Sequence, residues 1–287
     1  MKRLSWALVI YTILVILWGA WVRISHSGDG CGQSWPLCDG ALFPKDSSSE
    51  VWIEYFHRLT SGLYGLFVVG LYLLIRKKFP PHSAQRFAGL ATLILTVIEA
   101  GLGAALVLKG LVGENATIYR LVVMSLHQIN SLLLVGSTVI TALLVAEKSD
   151  VRPHWKGLFL HKGFLLIFMI IPATGAWAAL SNTLFPSQHL LQGLAEDFAS
   201  DSPWILRLRI LHPLIASGLA LYFCYFFWLK PNGQKLALGF FLTFVVGLLT
   251  LISLSPVVLK LIHLTMAQGL WILMVHYVMT SLLSTKR

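Results

Sequence analysis

Eight stretches of about 20 mostly apolar residues dominate this chain, at 4–24, 53–75, 87–108, 121–145, 158–180, 206–229, 236–254 and 259–283. A helix of that length crosses the roughly 30 Å hydrocarbon core of a bilayer. Lipid offers no hydrogen bonds, so a run this long must satisfy its own backbone as a helix. Composition agrees: 12% of residues are charged, against roughly 25% in a soluble domain. The fold class expected is an all-α polytopic membrane protein with eight transmembrane helices.

The formal charge of +10 raises the question of nucleic acid. The distribution excludes it, because the basic residues sit in short connections and no basic stretch is interleaved with aromatics. With eight spans both termini share one face. Lys2, Arg3, Arg76, Lys77, Lys78, Arg86, Lys148, Arg152, Lys156, Lys162, Lys230, Lys235, Lys286 and Arg287 share it too. Arg23, Lys45, Arg58, Lys109, Arg120, Arg207, Arg209 and Lys260 lie opposite. Fourteen against eight predicts cytoplasmic termini. The first span carries Trp18, Trp21 and Arg23 where a cleavable signal would have small residues, so a retained helix is expected. With no Arg/Ser-rich presequence, a bacterial plasma membrane is the expected location.

Two long external loops, 25–52 and 181–205, each follow the first span of a set of four, and a polar segment at 146–157 joins the sets. This layout predicts two pseudo-symmetric four-helix bundles, an N-terminal half at 1–150 and a C-terminal half at 151–287. In the second loop Leu190, Leu191, Leu194 and Phe198 fall on one helical stripe, which predicts a short helix lying on the outer surface.

Position sorts the ten histidines. His26, His82, His154 and His189 fall in loops, His161 at a cytoplasmic helix end, and His276 deep in the last span, where a packed core residue is expected. His57, His127, His212 and His263 are different. They occupy the four even spans, each one to two turns below the outer entrance. Ionisable residues inside a membrane are costly and mark function. Neutral imidazole is an axial ligand for haem iron, and ligands in helix bundles project inward from facing helices. Two histidines per half make one haem site per half; the alternative is a set of interhelical hydrogen bonds. Arg58, Arg120, Arg207, Arg209 and Lys260 stand close to these histidines in sequence. They would suit haem propionates directed outward, since arginine binds carboxylates bidentately.

Glu54 lies three residues before His57 and so on the same side of the helix. It would relay protons there, or else meet water at the interface. Cys31 and Cys38 share the first external loop, where an oxidising compartment favours a disulfide, either structural or electron-exchanging. Cys224 reads as a small core residue. Glu99, deep in the third span, is expected to be neutral or paired near the first haem site.

Five segments then carry a resemblance: GCGQSWPLC (Gly30–Cys38), EYFHRLTSG (Glu54–Gly62), SLHQINSLLL (Ser125–Leu134), LHPLIASG (Leu211–Gly218) and IHLTMAQGLW (Ile262–Trp271). In their order and spacing, over nearly the whole chain, they resemble the haem A synthase family. The resemblance implies a membrane oxidoreductase that converts the C8 methyl of haem O to the formyl of haem A for cytochrome oxidase. It implies Glu54, His57 and His127 as the substrate site, His212 and His263 as ligands of a haem b cofactor, and Cys31 and Cys38 as the family's loop pair. Haem O synthase and cytochrome oxidase assembly factors are the partners it suggests, beside membrane lipid, with the oligomeric state open. Two departures stand out: residues 181–205 hold no second cysteine pair, and Glu99 stands where the family often has an amide. The rival is a dihaem b-type membrane cytochrome that only transfers electrons. A transporter would gather its binding groups at mid-membrane, not at one end.

Overall fold

The computed structural model describes residues 1–147 and 155–284, the side chains of 155–162 and 283–284 excepted. Lys148, Arg152, His154, Lys286 and Arg287, the side chains of Lys156, His161 and Lys162, and the boundary expected at 150/151 therefore lie outside the described residues. The described residues form helices α1 (Lys2–Ile24), α2 (Ser49–Lys78), α3 (Ala84–Leu108), α4 (Ile118–Ala146), α5 (Trp155–Leu184), α6 (Leu190–Phe198), α7 (Leu211–Trp228), α8 (Gln234–Ile252) and α9 (Val257–Ser284). All but α6 belong to spans long and apolar enough to cross a membrane, and the chain is a multi-pass membrane protein. The sixth span enters through a 3₁₀ turn at Leu206–Leu208 before α7 begins.

Helix ends follow local chemistry. Ser83 and Thr117 cap α3 and α4, their hydroxyls accepting from the Arg86 and Arg120 amides, which satisfies donors that a first turn leaves open. Arg76, Lys77 and Lys78 end α2, where cations complement the carbonyl end of a helix.

The halves share one pattern of neighbours. In the first, α1 packs on α2, α2 on α3, α3 on α4, and α4 closes on α1; in the second, α5, α7, α8 and α9 close in the same order. The halves meet along α4, which packs on α5 and α9, with α1 also touching α9. Hence α4 is buried along most of its length, whereas the other spans keep exposed apolar stripes. Between helices in lipid, hydrogen bonds and close packing replace the hydrophobic drive. Thr92 on α3 bonds Ser137 and Thr141 on α4 at 2.9 and 3.1 Å. Trp271 on α9 donates its indole N–H to the Leu132 carbonyl on α4 at 2.7 Å and stacks on Phe168 of α5. One apolar core runs through both halves, from Val135 and Val139 to Phe223, Phe240 and Met274.

His276 departs from expectation. It lies on the exposed side of α9, while Met274, Val275, Val278 and Met279 turn inward; helical phase, not depth, decides which residues meet the core.

Candidate functional site

The long loops 25–48 and 185–210 lie at one end of the bundle, here termed the loop end. Helices α2, α4 and α9 start there, and His57, His127 and His263 follow eight, nine and six residues after their first residues. His212, the second residue of α7, follows six residues after its span begins at Leu206. At a rise of about 1.5 Å per residue these imidazoles share a level, and all four line a single cavity of about 1480 Å³. Ligand pockets usually hold about 300–1,000 Å³, so the space exceeds that of one small-molecule site. Its walls are mostly apolar, and both halves contribute to them.

His212 and His263 face each other with ring centroids 6.3 Å apart. That spacing would let both rings bind one haem iron between them. The donor set also suits a porphyrin: among the described residues no three His, Cys, Asp or Glu side chains gather to cage a bare ion. The histidines come in twos, and imidazole is a common ligand of haem iron. His212 Nδ1 lies 3.2 Å from the Thr174 hydroxyl. The Nδ1 atoms of His57, His127 and His263 are buried with no aligned partner among the described residues, although the Thr243 carbonyl is beside His263.

The first pair has acids beside it and, among the described residues, the second has none. Glu99 Oε1 stands 3.4 Å from His127 Nδ1, within ion-pair reach but out of line for a hydrogen bond. Asn130 donates to its Oε2 at 2.7 Å and the Ser131 hydroxyl to its Oε1. The expected pairing of Glu99 near the first histidine pair is what the structure has. Glu54 is buried, 3% exposed, so the water-facing alternative fails. Its Oε2 accepts from the Cys31 amide at 2.7 Å and its Oε1 from Arg58 at 2.5 and 3.1 Å. Cys31 and Cys38 form a disulfide, which closes the loop that holds Glu54.

The cations divide into two kinds. Arg58 spends its remaining donors on the Ser34 and Leu37 carbonyls, both at 2.6 Å. Arg209 is buried against Asp197 at 2.8 Å, the Gly193 and Phe185 carbonyls and the Ser187 hydroxyl. Burial pushes the Asp197 carboxyl up from its ordinary value, and the Arg209 guanidinium opposes that. Both arginines reach the cavity wall, but their donors hold loops. Arg207 points away, to the exposed Ser200 carbonyl. Arg120 and Lys260 keep capacity: Arg120 bonds the Gly113 and Asn115 carbonyls through one nitrogen while its buried Nε has no partner, and Lys260 makes no ion pair among the described residues.

Arg23 is the residue that sequence reasoning missed. It ends α1, lines the cavity, and has a buried Nε without a partner among the described residues. It faces both Arg120 and Lys260 closely enough for like charges to repel. Arg120 has Glu114 and Asp29 near enough to offset part of its charge, whereas among the described residues Arg23 and Lys260 have only like charges acting on them. Cations placed this way in a largely apolar cavity suit an anion. The signal available in sequence was a basic residue ending a span on the face that should lack them.

Two histidine pairs on alternate helices, a fixed carboxylate and cations with donors to spare open on one cavity, and the fold that carries them defines a class, the polytopic all-helical membrane proteins. A profile of the cytochrome oxidase assembly protein family matches residues 2–275. The chain belongs to that family, and the resemblance to haem A synthases read in its five segments is borne out. A Thermus thermophilus protein named protoheme IX farnesyltransferase is 34% identical over 284 residues, 94% of this chain and 46% of that protein. Heme A synthases of Symbiobacterium thermophilum and Bacillus licheniformis are 38% and 31% identical over 109 and 184 residues, 38% and 62% of this chain. Those alignments cover 35% and 58% of the two synthases, so the chain spans about a third to three fifths of the curated relatives it matches.

Proposed function

We propose that this protein is a haem A synthase, an oxidoreductase that binds haem O in its N-terminal half and oxidises the C8 methyl to a formyl group for cytochrome oxidase. The reading rests above all on the two histidine pairs sharing one cavity, one pair with ring centroids close enough that both could bind a single metal. Family membership and the heme A synthase relatives support it. The name of the Thermus relative adds context, since farnesyl transfer to protoheme IX is the class of reaction that supplies haem O. In this reading the membrane is a bacterial plasma membrane, and the excess of basic residues on the face of the termini supports cytoplasmic termini with the loop end outside.

Conversion of a methyl to a formyl is a four-electron oxidation, written as two hydroxylations that each consume one dioxygen, two electrons and two protons and release one water. They lead to the hydroxymethyl and then the geminal diol, which loses water. A haem b held by His212 and His263 supplies electron transfer when bound. In this reading His57 and His127 hold the substrate by its iron. Arg23, Arg120 and Lys260 take the porphyrin carboxylates at the loop end, a role that leaves Arg58 and Arg209 to the loops. Glu54, immobilised on two sides, moves protons between the cavity and the loop end. The apolar walls keep water from the reacting carbon.

Mass analysis of haems extracted from cells that also make haem O tests the reading. A formyl product sustains it; haem b alone, with haem O untouched, would make the protein a dihaem cytochrome that only passes electrons. Glu54→Ala is expected to retain haem yet accumulate haem O or a partly oxidised species. Full conversion by that variant would remove Glu54 from the chemistry.

A further inference from the structure

Each of the four histidines rests against a glycine, and the arrangement is the same four times. A Cβ placed on Gly19 would stand 3.0 Å from His57, one on Gly103 3.7 Å from His127, one on Gly175 3.2 Å from His212, and one on Gly247 2.8 Å from His263. The first atom met is Cε1 in every case, the ring carbon between the two nitrogens. Each glycine comes from the span preceding the histidine's own: α1 before α2, α3 before α4, α5 before α7, α8 before α9. Gly101 and Gly218, in two of the same helices, would meet nothing within 4 Å. Gly89, Gly136 and Gly239 also approach a neighbouring helix closely, against Ile75, Trp271 and Leu270; what sets these four apart is that the side chain met is a candidate ligand histidine each time.

An imidazole needs such a wall. Rotation of a histidine ring about its last torsion is broad and only weakly set by rotamer preference. Ligand histidines normally fix it by donating the second ring N–H to a neighbour. Here the Nδ1 atoms of His57 and His127 lack an aligned partner among the described residues, that of His263 has the Thr243 carbonyl nearby but out of line, and His212 has a hydroxyl at 3.2 Å.

We infer that Gly19, Gly103, Gly175 and Gly247 are positioning residues, whose missing Cβ seats each imidazole edge against the neighbouring backbone and so sets the direction of its iron-binding nitrogen. The inference rests on the proposal that these histidines ligate haem. It orders the sites: an alanine methyl at 247 meets the ring at a distance real side chains do not tolerate, at 19 nearly so, at 175 by a few tenths of an ångström with Thr174 still holding the ring, and at 103 in ordinary contact.

The test uses full-length protein with its bound haem and the substitutions Gly247→Ala, Gly175→Ala, Gly103→Ala and Gly101→Ala. The readouts are the low-spin ferric resonance, haem retained per protein, and melting temperature. Glycine to alanine inside a helix ordinarily stabilises by about 0.4–1 kcal/mol, so a merely structural role predicts unchanged resonances and equal or higher melting. Gly247→Ala is expected to shift the resonance or lose haem most, Gly175→Ala less, and Gly103→Ala and Gly101→Ala not at all. If Gly247→Ala fails to fold, the contrast between Gly175→Ala and Gly101→Ala carries the same decision. Equal spectra for all four variants, or an equal shift from Gly101→Ala, overturns the inference while leaving histidine ligation standing. A resonance that survives both His212→Ala and His263→Ala overturns ligation itself, and this inference with it.

Discussion

Arg58, Arg120, Arg209 and Lys260 look equivalent along the chain, each a cation near a histidine, and the structure separates them by what their donors already hold. A guanidinium has five N–H donors. Those of Arg209 are committed to Asp197 and the carbonyls and hydroxyl around it, and those of Arg58 to Glu54 and two carbonyls. Arg23, unremarkable at the end of a tryptophan-rich helix, is left with a buried, unsatisfied Nε. Hydrogen bonds to charged groups are worth about 1.5–3 kcal/mol, and 1.4 kcal/mol is tenfold in affinity. Arg23→Gln and Arg120→Gln should therefore each weaken binding of a porphyrin with free carboxylates by about tenfold or more. Its dimethyl ester should bind wild type and variants alike. Spectral titration of haem-depleted protein measures both, and equal losses for acid and ester would deny these residues a part in carboxylate recognition.

The short α6 belongs to a larger scale. Its apolar spacing made it legible in sequence, but spacing said nothing of what it grips. In the fold Gly193 and Asp197 turn inward to Arg209, while Leu191 and Phe198 stay exposed. Arg209 thus ties α6 and the Phe185–Ser187 stretch to the start of the sixth span, closing the C-terminal half much as the Glu54–Arg58 pair and the disulfide close the other. Breaking a buried ion pair costs about 3–5 kcal/mol when the partner stays charged; Asp197, already pushed up by burial, would relieve part of that by taking a proton. Arg209→Ala is expected to speed proteolysis between 187 and 205 while the helical spans melt nearly as before, because local opening is separable from global unfolding. Adding Asp197→Ala should restore part of the protection. Proteolysis at the wild-type rate in the single variant would mean that α6 is held by other contacts.

At the scale of the whole molecule, α4 is the shared wall of the two halves and Trp271 its main bolt, bonded to Leu132, stacked on Phe168 and seated over Gly136. Removing a large buried aromatic costs about 3–5 kcal/mol, so Trp271→Ala should lower the melting temperature in detergent more than truncating the exposed Phe87 does. An equal effect of the two would place the joint elsewhere. The sequence by itself determined that eight helices cross a membrane, that four histidines share a level, and that a short helix sits in the second loop. These follow from run length, rise per residue and apolar period, which are properties of a chain and its solvent. Tertiary structure alone decided that α4 and not α9 is the buried helix, that His276 faces outward, that Glu54 is clamped from both sides, and that Arg23 rather than Arg58 or Arg209 is free to bind. Those outcomes depend on which helix faces meet and which donors find partners, contacts between residues tens of positions apart that no local spacing encodes.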